Sequence, residues 1–172
     1  MKERPTDWIE RPLQDQKVLV RCRISANKIY GPYFFETTVN QYTYLDMLQN
    51  FFWPKHLRTA DYKRYYFQQD GATAHTANMV QEWLTSKFSE YFVNKKQWPP
   101  RSPDLNLCDF YLWGYLKSRV FMPLPKSIQE LKANIEKEIK NISQEELKKF
   151  FKNFRERCLL VISAGGGHFV NK

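Results

Sequence analysis

The sequence predicts an α/β fold in which strands and helices alternate along the chain. Segments rich in β-forming residues alternate with segments whose apolar residues recur at helical spacing. Hydrophobic residues make up 42% of the 172 residues and aromatic residues 16%, which allows a packed core and argues against disorder. The length fits one domain. We expect a lead-in over 1–16, a sheet and helix core over 17–122 and C-terminal helices over 123–172.

The first predicted elements are a β-hairpin and a helix. Residues 17–24 alternate sides and residues 29–35 are rich in β-formers, with the turn residues 25–28 between them. From residue 42 to residue 52 the apolar residues recur at helical spacing. Pro54 is expected to end this helix.

The middle of the chain predicts short strands around one helix. Residues 65–67 form a short aromatic run that ends at Asp70 and Gly71, where the glycine permits a tight change of direction. Thr76 is expected to cap a helix. The apolar face of that helix comprises Val80, Trp83, Leu84 and Phe88. Residues 90–93 predict another short strand, and three prolines then favour an extended loop over 99–103.

The remainder of the chain is predicted to be helical. One helix begins at Asp109, with an apolar stripe of Phe110, Leu112, Trp113, Leu116 and Val120. Two further helices begin at S-x-x-E capping boxes, formed by Ser127 with Glu130 and by Ser143 with Glu146. The expected buried faces are Ile128, Leu131, Ile135 and Ile139, then Leu147, Phe150, Phe151, Phe154, Cys158 and Val161.

The charge balance favours a polyanionic partner. The chain has 27 Lys and Arg against 18 Asp and Glu, a net charge of +9. Its three cysteines are widely spaced, which predicts buried thiols in a reducing compartment and no zinc site. No segment is apolar enough to span a bilayer and the start lacks a signal-peptide pattern, so we expect an intracellular protein with no membrane partner.

Two aspartates stand where a sheet-based nuclease places metal ligands. Asp70 follows a predicted strand and Asp109 opens a predicted helix, so the two side chains can converge although they are distant in sequence. Hard carboxylate oxygens suit a pair of magnesium ions that activate an attacking oxygen and stabilise a leaving one. Taken singly, the Asp70-Gly71 pair is typical of a turn and Asp109 is typical of a helix start. His75 alone would be interpreted as a packing or hydrogen-bonding residue.

The segments QQDGATAH and WPPRSPDLNLCDFYLWGYLK, with a helix and a strand between them, resemble the mariner-like superfamily of DNA transposases. KVLVRCRISANKIYGPYFF and NFRERCLLVISAGGGHFV are similar to the same family, so the resemblance covers nearly the whole chain. It implies a ribonuclease H-like mixed sheet flanked by helices, and a DDE/D site for Mg²⁺ or Mn²⁺. Asp70 corresponds to the family's second catalytic aspartate and Asp109 to its third acidic residue, with 38 residues between them. Asp104 is the alternative to Asp109 for that third position.

The resemblance also implies a first aspartate on the central strand, before the hairpin, and the chain is expected to lack that strand. Asp7 and Asp15 lie in a polar, proline-containing lead-in and are not assigned to the metal site. Arg21 stands where relatives usually carry a tryptophan, which places a charge at a position expected to pack. We expect either a rearranged sheet, in which the hairpin meets the Tyr65 strand directly, or a weakly stable fragment.

Three functions are compatible with these features. The leading one is a remnant of a transposase catalytic domain, whose family activity is metal-dependent DNA cleavage and strand transfer at transposon ends, and which is expected to be inactive alone. The second is a non-catalytic protein that binds DNA phosphates through Lys95, Lys96, Arg101, Lys117 and Arg119. The third is a module that associates with itself or with a full-length transposase through the C-terminal helices. The DNA partner implies a nuclear location.

Overall fold

The computed structural model describes residues 17–60, 62–98 and 105–165. Within them the α/β prediction is confirmed, because a β-hairpin packs against α-helices that are interspersed with π- and 3-10-helical turns. The strands are β1 (Leu19–Ile24) and β2 (Ile29–Phe35). The helices are α1 (Gln41–Asp46), α2 (Trp53–Leu57), α3 (Thr73–Thr76), α4 (Asn78–Phe88), α5 (Trp113–Lys117), α6 (Ile128–Asn141) and α7 (Gln144–Ser163).

An irregularity in the hairpin sets the direction of its two arginines. The antiparallel register shifts between Arg21 and Arg23, so Gly31 and the next residue both lie across from Cys22. Gly31 has φ +129°, and a Cβ there would come within 2.9 Å of the Arg21 carbonyl oxygen, so only glycine fits. Arg21 and Arg23 both face the aromatic side of the hairpin, whereas Cys22 packs against the C-terminal helices.

The hairpin separates two hydrophobic clusters. The first joins β2 to the helices that follow it and buries Tyr30, Tyr44, Met47, Leu48, Phe52, Phe67, Val80, Leu84, Phe88 and Phe92. The second lies on the opposite side and buries Cys22, Leu112, Leu116, Val120, Leu131, Ile135, Ile139, Ile142 and Leu147. The hairpin thus connects the segment that carries Asp70 to the segment that carries Asp109.

The prediction that Pro54 ends its helix is wrong. An α-helical turn, α1, begins at the capping residue Asn40 and passes into a π-helical turn, Met47–Phe52, which continues directly into α2. Pro54 lies in the first turn of α2, where the missing N–H costs little. The predicted apolar face is confirmed, since Tyr44, Leu48 and Phe52 are buried.

The middle segment differs from prediction in its caps and strands. Thr76 ends α3 and donates to the Ala72 carbonyl oxygen, and Ala77 instead precedes α4. The buried face of α4 is confirmed at Val80, Leu84 and Phe88. The two predicted strands are reduced to one parallel bridge between Phe67 and Phe92, since 3-10 turns occupy Tyr62–Arg64 and Ser89–Tyr91.

The C-terminal helices are confirmed with one change in capping. The Ser143 and Glu146 capping box is complete. Ser127 accepts from the Glu130 N–H, but the Glu130 carboxylate accepts from the Lys126 N–H, so only half of that box forms. The α7 face is less buried than predicted: Leu147 is buried, while its other predicted members are half-buried.

Of the two expected outcomes, the rearranged sheet is wrong in the described residues, and the weakly stable fragment stays a prediction. β1 pairs only with β2, and the residues around Phe67 pair on the side of Phe92. A cavity of about 340 Å³ lies between β1 and residues 65–69, so the two edges do not meet. None of the helices in the described part is long and apolar enough to cross a membrane.

Candidate functional site

Asp70 lies three residues after the bridge that fixes its segment. Phe67 donates to the Tyr91 carbonyl oxygen at 2.7 Å and accepts from the Val93 N–H at 2.9 Å. Between the bridge and Asp70, the buried Gln69 accepts from the Tyr44 hydroxyl at 2.8 Å. The Gln69 amide also donates to the His75 carbonyl oxygen at 2.9 Å, so the turn is held on both sides of Asp70.

The Asp70 carboxylate is held ionised by local donors. Its Oδ1 accepts from the Ala72 N–H at 3.1 Å and contacts Nδ1 of His75. Burial acts to raise the pKa of Asp70, but the bonds from His75 and Ala72 hold it at about 2. Burial lowers the pKa of His75, so at neutral pH a neutral ring donates its Nδ1–H. Its predicted role as a packing and hydrogen-bonding residue fits this arrangement, since the ring also packs against that of Tyr44.

Asp109 lies in the first turn of a π-helical segment, Cys108–Leu112, that continues into α5. Leu112 is fully buried beneath it, and the Cys108 thiol donates to the Cys22 carbonyl oxygen at 3.7 Å, which fixes this turn against β1. Asp109 itself is exposed. Partial burial of its carboxyl group and the charge of Asp70 nevertheless raise the pKa of Asp109.

The charge of Asp70 thus disfavours ionisation of Asp109. Two carboxylates that repel in this way are suited to share a cation. Of the His, Cys, Asp and Glu residues in the described segments, no three lie close enough together to hold a metal ion. Asp70 and Asp109, the two ligands predicted from the sequence, thus belong to no three-donor site there, and both hydrogen bonds to Asp70 fall on one of its two oxygens.

Two further residues at this site were not predicted as functional. The guanidinium carbon of Arg21 lies 5.6 Å from the centre of the Tyr44 ring, and that ring lies 4.3 Å from the ring of His75. The charge of Arg21 helps to lower the pKa of Asp70, and for Asp109 it opposes the larger effects of burial and Asp70 that raise the pKa. The sequence marked Arg21 only as a charge at a packing position, and nothing in the spacing of Tyr44 signalled its contact with His75.

The predicted DNA contacts are only partly grouped around the aspartates. Lys95 lines a cavity of about 290 Å³ together with Asp70, and its ammonium donates to the Thr76 carbonyl oxygen and to the Asn78 side chain, both at 3.1 Å. Lys96 and Lys117 are exposed. Arg119 is exposed but stacks 3.9 Å above the Tyr115 ring. Arg101 and the alternative ligand Asp104 lie outside the described residues.

Known proteins with similar sequences are transposases. The chain is 27% identical over 168 residues to the transposable element Tc3 transposase of Caenorhabditis elegans, an alignment that covers 96% of this chain and 49% of that protein. It is 30% identical over 129 residues to the Tcb1 transposase of Caenorhabditis briggsae, and this alignment covers 75% of this chain and 45% of that protein. The chain spans about half the length of these curated relatives. No protein-family model matches it.

A solved structure has the same fold. The catalytic domain of the Mos1 mariner transposase superposes with a TM-score of 0.73 at 18% sequence identity, over 89% of this chain and 76% of that one. The predicted ribonuclease H-like architecture is thereby confirmed, and the sequence relationships agree with the resemblance seen in the two aspartate motifs.

Proposed function

Because the chain is homologous to Tc1/mariner-family transposases over nearly its whole length, we propose that it contributes two carboxylates, Asp70 and Asp109, to a DDE/D-type site that acts on DNA. The observation that carries this proposal is the alignment with a transposase over 168 residues, 96% of this chain. Separated by 38 residues, the two aspartates come from a bridged strand end and from a helix start, yet Asp70 raises the pKa of Asp109.

The two aspartates would hold Mg²⁺ or Mn²⁺. When bound, such an ion supplies Lewis-acid activation of the attacking oxygen and stabilisation of the leaving one. The chain's own residues prepare the site: the His75 and Ala72 donors keep Asp70 ionised, and Tyr44 and Gln69 hold the turn that carries it. Two carboxylates place a pair of ions poorly, so we propose that these residues alone do not cleave DNA.

DNA is the proposed substrate, bound mainly through its phosphates. The net charge of +9 supplies long-range attraction. Lys95 is fixed beside Asp70, and the exposed Lys96 follows it in the same turn, so this pair would contact the backbone next to the carboxylates. Lys117 and Arg119 complete the described part of the proposed surface. A nuclear location belongs to the same proposal, since it follows from the DNA partner.

We expect the purified chain to bind duplex DNA without cutting it. Binding of a fluorescent duplex should weaken steeply as salt increases and show little sequence preference. The salt dependence is measured as the slope of the logarithm of the binding constant against the logarithm of the salt concentration. The Lys95→Ala, Lys96→Ala double variant should reduce the magnitude of this slope by about two. The same solutions, incubated with supercoiled plasmid and Mg²⁺, should leave the plasmid intact.

The matched control removes two exposed lysines of α7, as Lys148→Ala with Lys152→Ala. An equal change of slope in both double variants would show that the charge near Asp70 has no special role. Magnesium-dependent nicking that disappears in Asp70→Ala would overturn the proposed inactivity and show a working site. Absence of DNA binding at low salt would remove DNA as the substrate.

Self-association is a second candidate, favoured by one feature of α7. Its last turns expose Leu159, Leu160 and Ile162, which are 53%, 47% and 73% accessible. Several exposed apolar groups close together at a helix end are typical of a contact surface. A second copy of the chain or a full-length transposase would cover them, and light scattering separates a dimer from a monomer.

A further inference from the structure

The cavity between β1 and residues 65–69 is bounded by two stretches of extended backbone. Residues 21–25 line one side and residues 65–69 line the other. Each stretch has five residues, which is the usual length of one β-strand. The volume between them is about 340 Å³. The cavity therefore has the boundaries that a single strand has inside a sheet.

On one side of the cavity, backbone groups point toward β1. Phe67 uses both of its backbone groups in the bridge to residues 91–93. The groups of neighbouring residues in extended backbone point to the opposite edge, so those of Tyr66 and Gln68 are directed toward the cavity. The Tyr66 carbonyl oxygen agrees with this direction, because it accepts from Nη2 of Arg23, on β1, at 3.4 Å. An arginine side chain thus bonds to a carbonyl group that an adjacent strand could use.

The outer edge of β1 has the same property. The Ser25 N–H donates to the Lys28 carbonyl oxygen across the hairpin. Because directions alternate along a strand, Cys22 and Ile24 present their backbone groups to the other edge. The Cys22 carbonyl oxygen accepts there from the Cys108 thiol at 3.7 Å, and a thiol is a weak donor. A side chain, and not another strand, therefore meets each of the two edges.

The side chains around the cavity are mostly apolar. The buried residues Tyr44, Leu48 and Phe52 of the first hydrophobic cluster line it, and α7 contributes Phe151 and Phe154. A strand that is covered by apolar side chains on both faces is itself apolar along its length. The segment that fits this cavity is thus an extended run of apolar residues.

The cavity wall also carries a buried positive charge. The Arg23 guanidinium packs on the rings of Phe52 and Phe67, and its Nη1 atom is buried with no hydrogen-bond partner among the described residues. A buried cationic donor without an acceptor is costly. A carboxylate is the acceptor that best matches the fork of a guanidinium. An occupant with one carboxylate near Arg23 would therefore complement this wall.

We propose that this cavity is an acceptor site for one extended strand of another polypeptide, apolar on both faces and carrying one carboxylate that pairs with Arg23. The strand would hydrogen-bond to β1 along one edge and to residues 66–68 along the other. Strand addition of this kind takes its affinity from main-chain bonds and its specificity from side-chain pockets. The inference is independent of the proposed metal site, because no part of it uses Asp70 or Asp109.

The test is the binding of a fluorescent peptide to the whole chain, followed by anisotropy. The probe is a peptide of about six residues, built of valine and isoleucine with one central aspartate and linked to a polyethylene glycol tail for solubility. It should bind saturably. A peptide with the same side chains, N-methylated on every residue, cannot donate main-chain bonds and should bind at least about tenfold more weakly.

The charge on the cavity wall is tested by a second peptide, in which asparagine replaces the aspartate. It should bind the unsubstituted chain about tenfold more weakly than the aspartate peptide, and Arg23→Met should remove this difference. Arg23→Gln serves the same purpose where Arg23→Met does not fold, which thermal melts show. Arg64→Met is the matched control, since Arg64 is exposed at the same cavity, and it should preserve the difference.

Hydrogen exchange locates the bound peptide. The amides of Ile24 and Gln68 should exchange more slowly in the complex, whereas those of helix α6 should be unchanged. Equal binding of the N-methylated peptide, or no saturable binding of any peptide, would overturn the proposal. So would a preference for aspartate that survives in Arg23→Met. Peptide binding that falls as the chain concentration rises would mean that a second copy fills the cavity, and would also overturn it.

Discussion

Replacing Tyr44 by alanine is expected to lower the free energy of unfolding by about 3–5 kcal/mol, the usual cost of deleting a buried aromatic side chain. Tyr44 is 1% exposed and belongs to the cluster on the aromatic side of the hairpin. Its ring lies 4.3 Å from that of His75, the residue that contacts Asp70. The substitution should therefore loosen the candidate site together with the core.

Urea denaturation followed by tryptophan fluorescence measures this loss. Tyr44→Phe keeps the ring and removes the hydroxyl that donates to Gln69, so it should cost about 1–2 kcal/mol. Tyr42→Ala is the matched control, because Tyr42 is 65% exposed on the same helix and should cost less than about 0.5 kcal/mol. A loss for Tyr44→Ala no greater than that of Tyr42→Ala would contradict the packing described for α1.

Arg23→Met is expected to raise the free energy of unfolding by about 1–3 kcal/mol, since burying an unpaired charge costs more than packing an apolar side chain of similar size. The Arg23 guanidinium lies 4.0 Å from the Phe67 ring centre and 4.4 Å from that of Phe52. Its Nη1 has no hydrogen-bond partner among the described residues, and Nη2 donates to the Tyr66 carbonyl oxygen at 3.4 Å.

The pKa of Arg23 gives the sign of this effect. Burial lowers that pKa to about 9, below the value in the unfolded chain, so the charged form is disfavoured by folding. The cost is fully present below about pH 9, which includes neutral pH, and diminishes as the pH rises above it. The lost contacts with the aromatic rings offset part of the gain.

Thermal melts at pH 7 test this prediction directly. Arg23→Met should raise the Tm, whereas Arg64→Met, at an exposed arginine of the same cavity, should leave it nearly unchanged. A lower Tm in Arg23→Met would mean that the guanidinium is held by favourable interactions stronger than its cost of burial.

Sequence patterns predicted the helices and strands that depend on residues close together in the chain. The hairpin follows from alternation and its turn residues, α4 from its apolar period, and α7 from a capping box that forms as expected. The errors arise where the backbone departs from a regular repeat. A π-helical turn before Pro54 lets the helix continue, and the predicted strands around Phe67 and Phe92 shorten to one bridge because 3-10 turns precede both.

The candidate site was less accessible to sequence reasoning than the fold. Asp70 and Asp109 came from a family resemblance, since each taken singly is typical of a turn or a helix start. The surroundings of Asp70 depend on contacts between segments distant in the chain, such as Tyr44 with Gln69 and Arg21 with Tyr44. No spacing rule predicts such contacts.

Asp70 and Asp109 are proposed to converge on one divalent cation, and paramagnetic broadening by Mn²⁺ in backbone NMR spectra tests this convergence. At low Mn²⁺ we expect selective loss of the amide signals of Asp70, Gly71, Cys108 and Asp109 together, with the same titration curve. Asp70→Asn and Asp109→Asn should each restore both groups of signals. Broadening confined to one aspartate, or broadening elsewhere that both substitutions leave unchanged, would contradict it.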